Sequence, residues 1–240
     1  MAEPRQAALA VQDAFRAECE RLTRELASAD DASFSQASPC PPWTVGELLY
    51  HVRIAVGRLP AALAGPAPQP GSVPLTSAGA YYRDDHRFSA STNTGRITLA
   101  QAGAAAAAPD GAGPAALVRD FGQTWRAVLD QVQATSPDRV VRTRHGDYML
   151  LTEFLRTRVA EVAVHGLDLA AGLDREPWLT GPAAVVVADL LLPAAAADGL
   201  RAELGWDQLT LIAKGTGRAP LTGPEGALVT ERGISWPSFG

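Results

Sequence analysis

Arg158, Glu161, His165 and Asp168 follow one another at intervals of three, four and three residues. At about 100° per residue this spacing lines four ionisable side chains along one face of a helix. The residues around them, Val159, Val162, Val164, Leu167 and Leu169, are apolar, so the helix is hydrophobic nearly all round and reads as interior. Ionisable groups in such a setting are costly unless paired or bound to a metal. Glu161 and His165, one turn apart, can share an ion if a second helix supplies a third ligand, and His51 is the candidate. Two imidazoles and a carboxylate with an open fourth position form the donor set of a catalytic zinc site. Spacing alone also suits a solvated face laced with ion pairs, with His165 a bystander and His51 a half-buried surface histidine. His86, set among charged and polar neighbours, reads as solvated.

The bulk properties narrow the classes. The chain has 240 residues, 47% of them apolar, and a formal charge of −5, which suits one good-sized domain with an appendage. Lysine occurs once, at Lys214, and without a basic footprint nucleic-acid binding is not expected. No apolar run has the length of a membrane span and the first residues lack the layout of a secretory signal. A cytoplasmic protein with no membrane partner is therefore the expectation. Two cysteines, Cys19 and Cys40, cannot supply a Cys₃ or Cys₄ metal shell, and Cys19 reads as a small core residue.

Four long helical patterns carry the site. The first runs from about Gln6 to Ala27, with Ala8, Val11, Phe15, Cys19, Leu22 and Leu26 on one stripe. The prolines of residues 39–42 then break the chain. A second helix starts at once, with Thr44 and Glu47 as capping box and Trp43 packing on Leu48. Its stripe runs from Leu48 through Val52, Ala55, Val56 and Leu59 to Leu63, with Pro60 as a kink or last turn. The third begins at Pro114 and carries Leu117, Phe121, Trp125, Val128 and Val132. The fourth, Leu150 to Leu173, carries the polar stripe. Shorter helices are expected over 81–88 and 94–108, loop over 65–74, and a turn-rich stretch without assigned role over 136–148, where Val140 to Arg144 can be extended. One further apolar helix, Gly181 to about Ala197, and one ending near Gly215 or Gly217 follow. The fold class is therefore mainly all-α, a four-helix bundle over 1–178 with a short C-terminal extension over 179–240. A di-iron bundle would need a second set of carboxylates, and none is evident.

Two segments also resemble a known family. CPPWTVGELLYHV at Cys40–Val52 and RVAEVAVHGLDL at Arg158–Leu169 look like the signature segments of the mycothiol-dependent maleylpyruvate isomerase family, which belongs to the DinB-like metalloenzymes. The resemblance covers most of residues 5–180, and GTGRAPLT at Gly215–Thr222 is similar to tails in the group. It implies metal ligation by His51, Glu161 and His165, with zinc or another divalent metal and mycothiol as cofactors. It also implies a small electrophile as substrate. The thiolate would add to a conjugated double bond, allow rotation and leave; a relative that stops after addition would be an S-transferase. Asp168 or Arg158 would orient a ligand, with structural ion pairing as the alternative for both. The founding isomerase contributes a substrate-binding arginine from a larger C-terminal domain. Only about sixty residues follow Trp178 here, with Arg218 the first choice for that role and Arg201 and Arg232 behind it. A non-catalytic binding module and a thiol-independent metal hydrolase are the competing readings, and a monomer or homodimer is expected.

Overall fold

The computed structural model describes residues 2–69, 71–83, 89–107 and 113–239. In chain order the helices are α1 (Ala2–Ala27), α2 (Val45–Val56), α3 (Leu59–Leu63), α4 (Ala78–Tyr81), α5 (Ala90–Ala107) and α6 (Gly113–Gln133). A short hairpin, β1 (Val140–Arg142) and β2 (Tyr148–Leu150), leads into α7 (Leu151–Gly172). The extension consists of α8 (Gly181–Leu191), α9 (Ala194–Leu204), α10 (Gln208–Gly215) and α11 (Gly223–Glu231).

The bundle is α1, α2, α6 and α7. Both α1 and α2 pack against α6 and α7, so α1 stands diagonal to α2. Each helix turns its stripe inward: Phe15, Cys19 and Leu22 of α1, Leu48 and Val52 of α2, Phe121 and Trp125 of α6 are all buried. The bundle follows from these stripes, because each can leave water only against another. α7 is the exception in kind, since Arg158, His165 and Asp168 are buried along with its valines and leucines. Such a helix has no solvated side, and α8 covers the face that α1 and α2 leave open.

Three expected boundaries shift. The Leu48-to-Leu63 stripe is split, because α2 ends at Gly57 and Pro60 sits in the first turn of the separate α3, where its missing N–H costs nothing. The helix expected over Gly181–Ala197 is also two. Pro193 cannot donate to a helix ladder and forces Leu192 into extended backbone, so α8 stops at Leu191 and α9 leaves at 100°. The helix expected over 94–108 begins earlier, at Ala90. His86 lies outside the described residues. Among them no single helix is long and apolar enough to cross a membrane.

The extended stretch expected over Val140 to Arg144 is β1 in its first three residues, and it pairs with a strand the sequence reading did not assign, β2. Val140, Val141 and Arg142 pair antiparallel with Leu150, Met149 and Tyr148. Gly146, at φ +95°, closes the turn, a conformation that side chains with a Cβ rarely adopt. The extension joins the bundle through Glu18 of α1. This buried carboxylate accepts from the backbone N–H of Thr180 at 2.9 Å and from its hydroxyl at 2.6 Å, just before α8.

Candidate metal centre

His51 comes from α2, and Glu161 and His165 from α7. The capping box fixes where α2 starts: Thr44 Oγ1 accepts from the Glu47 N–H and Glu47 accepts from the Thr44 N–H. Before it the chain folds on itself, with the Ser38 N–H and hydroxyl both on the Trp43 carbonyl at 2.9 and 2.8 Å. That loop sets the Trp43 ring on His51, stacked at 4.6 Å between centroids.

The three side chains converge. Glu161 Oε2 is 3.7 Å from His51 Nε2 and 3.7 Å from His165 Nε2, and all three candidate ligand atoms lie within 4.8 Å of one another. Ligands about 2.1 Å from a tetrahedral zinc stand about 3.4 Å apart, and both Glu161–histidine spacings are within a few tenths of an ångström of that. His51 and Glu161 keep 14% and 18% of their side-chain surface exposed, against 6% for His165, which leaves an approach from one side.

Each candidate ligand has a partner behind or beside it. His165 Nδ1 lies 2.9 Å from Asp168 Oδ2; a carboxylate only accepts, so Nδ1 is the donor of that contact and Nε2 is the nitrogen turned toward Glu161. Tyr82 shares its one hydroxyl proton between the Thr157 carbonyl at 2.8 Å and Glu161 Oε1 at 3.3 Å, so Oε1 is turned to Tyr82 and Oε2 to the histidines. Burial alone would raise the Glu161 carboxyl, but the His51 imidazole beside it and the Arg158 charge outweigh burial and hold it well below the usual range. Asp168 is likewise held low, burial being outweighed by hydrogen bonds from His165 and Arg218. His51 is pushed down, mainly by burial, which keeps its imidazole neutral and able to ligate.

Arg158, expected to orient a ligand or to pair structurally, lies between the two helices. It touches neither histidine: Nη1 donates to the Ala55 carbonyl of α2 at 2.6 Å and the guanidinium lies over the Phe154 ring at 4.8 Å. It ties the two ligand-bearing helices together while its charge acts on Glu161. Arg218 reaches Asp168 with two bonds, Nε to Oδ1 at 3.1 Å and Nη2 to Oδ2 at 2.8 Å. It is not in the wall of the cavity that opens on the trio. Arg201 and Arg232 pair with Asp198 and Glu203 on the outside of the extension.

That cavity encloses about 670 Å³. Five arginines line it, Arg58, Arg96, Arg142, Arg144 and Arg158, and Glu161 is the sole acidic residue among the lining residues. Burial and the Arg158 charge push Arg58 down; burial and the charges of Arg58 and Arg96 push Arg144 down. Sequence reasoning missed this wall, because it is assembled from α3, α5, the hairpin and α7. Tyr82 and Cys40 were missed too. Cys40, His165 and Asp168 also lie within ligand distance of one another. Both Asp168 oxygens are engaged by Arg218, however, and the Cys40 thiol is pushed up to about 12 by burial and by the Asp168 charge. This second group is a hydrogen-bonded cluster without a free anionic donor.

Residues 15–170 match the family model of the mycothiol maleylpyruvate isomerase N-terminal domain. The chain belongs to that family. It is accordingly an enzyme of isomerase type, and mycothiol dependence comes with the family. Among solved structures, a crystal structure of the mycothiol-dependent maleylpyruvate isomerase aligns over 75% of this chain and 68% of that one, at 21% identity and a TM-score of 0.49. A mutant of that isomerase aligns over the same shares at 19% identity and a TM-score of 0.46. No curated protein matches the chain.

Proposed function

We propose that His51, Glu161 and His165 bind one divalent cation, zinc by donor set and spacing, and that the enzyme isomerises a small anionic electrophile of the maleylpyruvate kind with mycothiol. The observation that carries the reading is the convergence of three ligand atoms within 4.8 Å at the mouth of an arginine-lined cavity. A cation there lowers the pKa of a thiol and so supplies a thiolate nucleophile at neutral pH, the chemistry that reversible addition to a conjugated double bond requires.

The protein residues have separate tasks in this reading. Glu161 offers one oxygen because Tyr82 occupies the other, and His165 offers Nε2 because Asp168 holds Nδ1. His51, stacked on Trp43, completes a set that leaves one position open. The guanidinium groups suit carboxylates, which they meet in planar pairs. With Glu161 committed to the cation, the wall presents an excess of positive charge to the substrate.

Elemental analysis of the purified protein tests the site. One metal per chain is expected, and loss of it in His51→Ala and His165→Ala; retention in both variants sinks the proposal. Turnover of maleylpyruvate with mycothiol in substoichiometric amount tests the reaction. An isomerase returns the thiol, whereas consumption of one thiol per product would make the chain an S-transferase.

A further inference from the structure

Arg218 belongs to the extension, yet its guanidinium ends on a residue that faces the bundle's histidine. Asp168 is 3% exposed and accepts three hydrogen bonds: from His165 Nδ1 at 2.9 Å and from Arg218 Nε and Nη2 at 3.1 and 2.8 Å. Oδ2 is shared between imidazole and guanidinium, so the plane of the carboxylate, and with it the direction of the His165 ring, is fixed by the fork of Arg218. The fork itself is anchored. Nη1 donates to the Thr216 carbonyl at 2.7 Å, and the Arg218 backbone N–H to the Ala213 carbonyl at 2.7 Å, in the turn that ends α10. Gly217 makes that turn at φ +78°, open to glycine and strained for other residues. α10 rests on α8, and α8 on α1 and α7.

Position separates this arginine from those that can meet a substrate. It lines a second cavity of about 780 Å³, and the two cavities share only Cys40 and Pro41. Arg218 is not among the residues that line the arginine-rich cavity. We infer that Arg218 is a positioning residue of the metal centre, acting through Asp168 to fix the tautomer and ring orientation of His165. The inference rests on the proposed metal site. Partners behind a metal-bound histidine typically change metal affinity 10- to 100-fold when removed.

The test uses the full chain and its Arg218→Ala, Arg218→Lys, Asp168→Asn and Arg218→Ala/Asp168→Asn forms. Zinc dissociation constants come from chelator competition, the His165 tautomer from long-range proton–nitrogen NMR of the metal-free protein, and the folded state from thermal unfolding. Arg218→Ala is expected to weaken zinc binding by about 10- to 100-fold. Arg218→Lys should weaken it less, since a point charge cannot match two oxygens. The double variant should bind zinc no more weakly than Asp168→Asn, because both changes break one chain of contacts. The NMR signal should pass from a single Nδ1–H form to a mixture in Arg218→Ala. Zinc affinity within twofold of wild type in Arg218→Ala, or losses that multiply in the double variant, would overturn the inference. Should Arg218→Ala not fold, Arg218→Lys decides, and wild-type affinity with an unchanged tautomer rejects it. Should the wild-type protein bind no zinc, the metal reading fails by itself. The tautomer comparison then decides alone, a mixture in the variant supporting positioning and an unchanged spectrum rejecting it.

Discussion

Glu18 of α1 and Glu161 of α7 are glutamates inside the same bundle, and burial has opposite outcomes for them. At Glu18 desolvation prevails over the hydrogen bonds from Thr180, and the carboxyl is harder to ionise than in water. At Glu161 the His51 imidazole beside it and the Arg158 charge prevail over desolvation, and the carboxyl is held well below the usual range. Glu18 has donors on one oxygen only, and its Oε1 is buried without a partner. Depth is therefore a poor guide to the role of a buried acid, and the count of cationic neighbours a better one. The first glutamate fastens α8, whereas the second is kept as an anion beside two neutral-capable imidazoles and an open cavity, the condition for ligating a cation.

Four substitutions sharpen or break this contrast. The largest effect is expected for Glu161→Gln, which removes the proposed anionic ligand: zinc affinity should fall by more than the roughly 100-fold typical of outer partners, with the unfolding midpoint little changed. Bound zinc at the wild-type level would erase the distinction between the two glutamates. Next is Gly166→Ala, beside His165 and facing the other region, whose Cβ would stand 3.1 Å from Trp178 Nε1 and 3.9 Å from Glu18 Oε1. Overpacking of this kind costs about 1–3 kcal/mol, to be read from chemical denaturation. Tyr82→Phe frees Glu161 Oε1 and should weaken zinc binding about tenfold without a comparable loss of stability.

Glu18→Gln gives the smallest effect, and its sign depends on pH. Because the folded-state pKa of Glu18 is raised above 4.5, protonation favours the folded protein. The associated stability is present below the unfolded value and lost as pH rises through the folded one. The amide keeps an acceptor for Thr180 and carries no charge. Its unfolding free energy should match wild type near pH 4 and exceed it near pH 8 by on the order of 1 kcal/mol. Equal curves at both pH values would place Glu18 among ordinary surface acids.

The bundle was legible because its evidence is local. Phe15–Cys19–Leu22 and Phe121–Trp125–Val128 repeat at helical spacing, and Thr44 with Glu47 marks a helix start; these elements stand where the pattern puts them. The candidate ligands were legible for the same reason, two of them sharing one turn. The break at Pro193 and α11 carried signals too, in the proline itself and in the Thr222–Glu225 capping box with Pro224, but short helices in an alanine-rich tail show little periodicity. The arginine wall was not legible, since Arg58, Arg96 and Arg142 meet only through tertiary packing. Arg218 was picked out as the arginine of interest, and geometry gave it Asp168 as its partner.

At Gly172 a Cβ would come within 2.9 Å of Val45 Cγ2, so the end of α7 lies almost against the start of α2. Nearly three turns beyond Val45, on the far side of His51, Arg158 Nη1 grips the Ala55 carbonyl. The antiparallel pair is thus fastened above and below the ligands, and the gap an ion would bridge is set by apolar contact and one guanidinium before any ion arrives. Preorganisation of this sort spares binding the entropy of drawing helices together. A larger residue at 172 would splay the pair and spend metal affinity without touching a ligand.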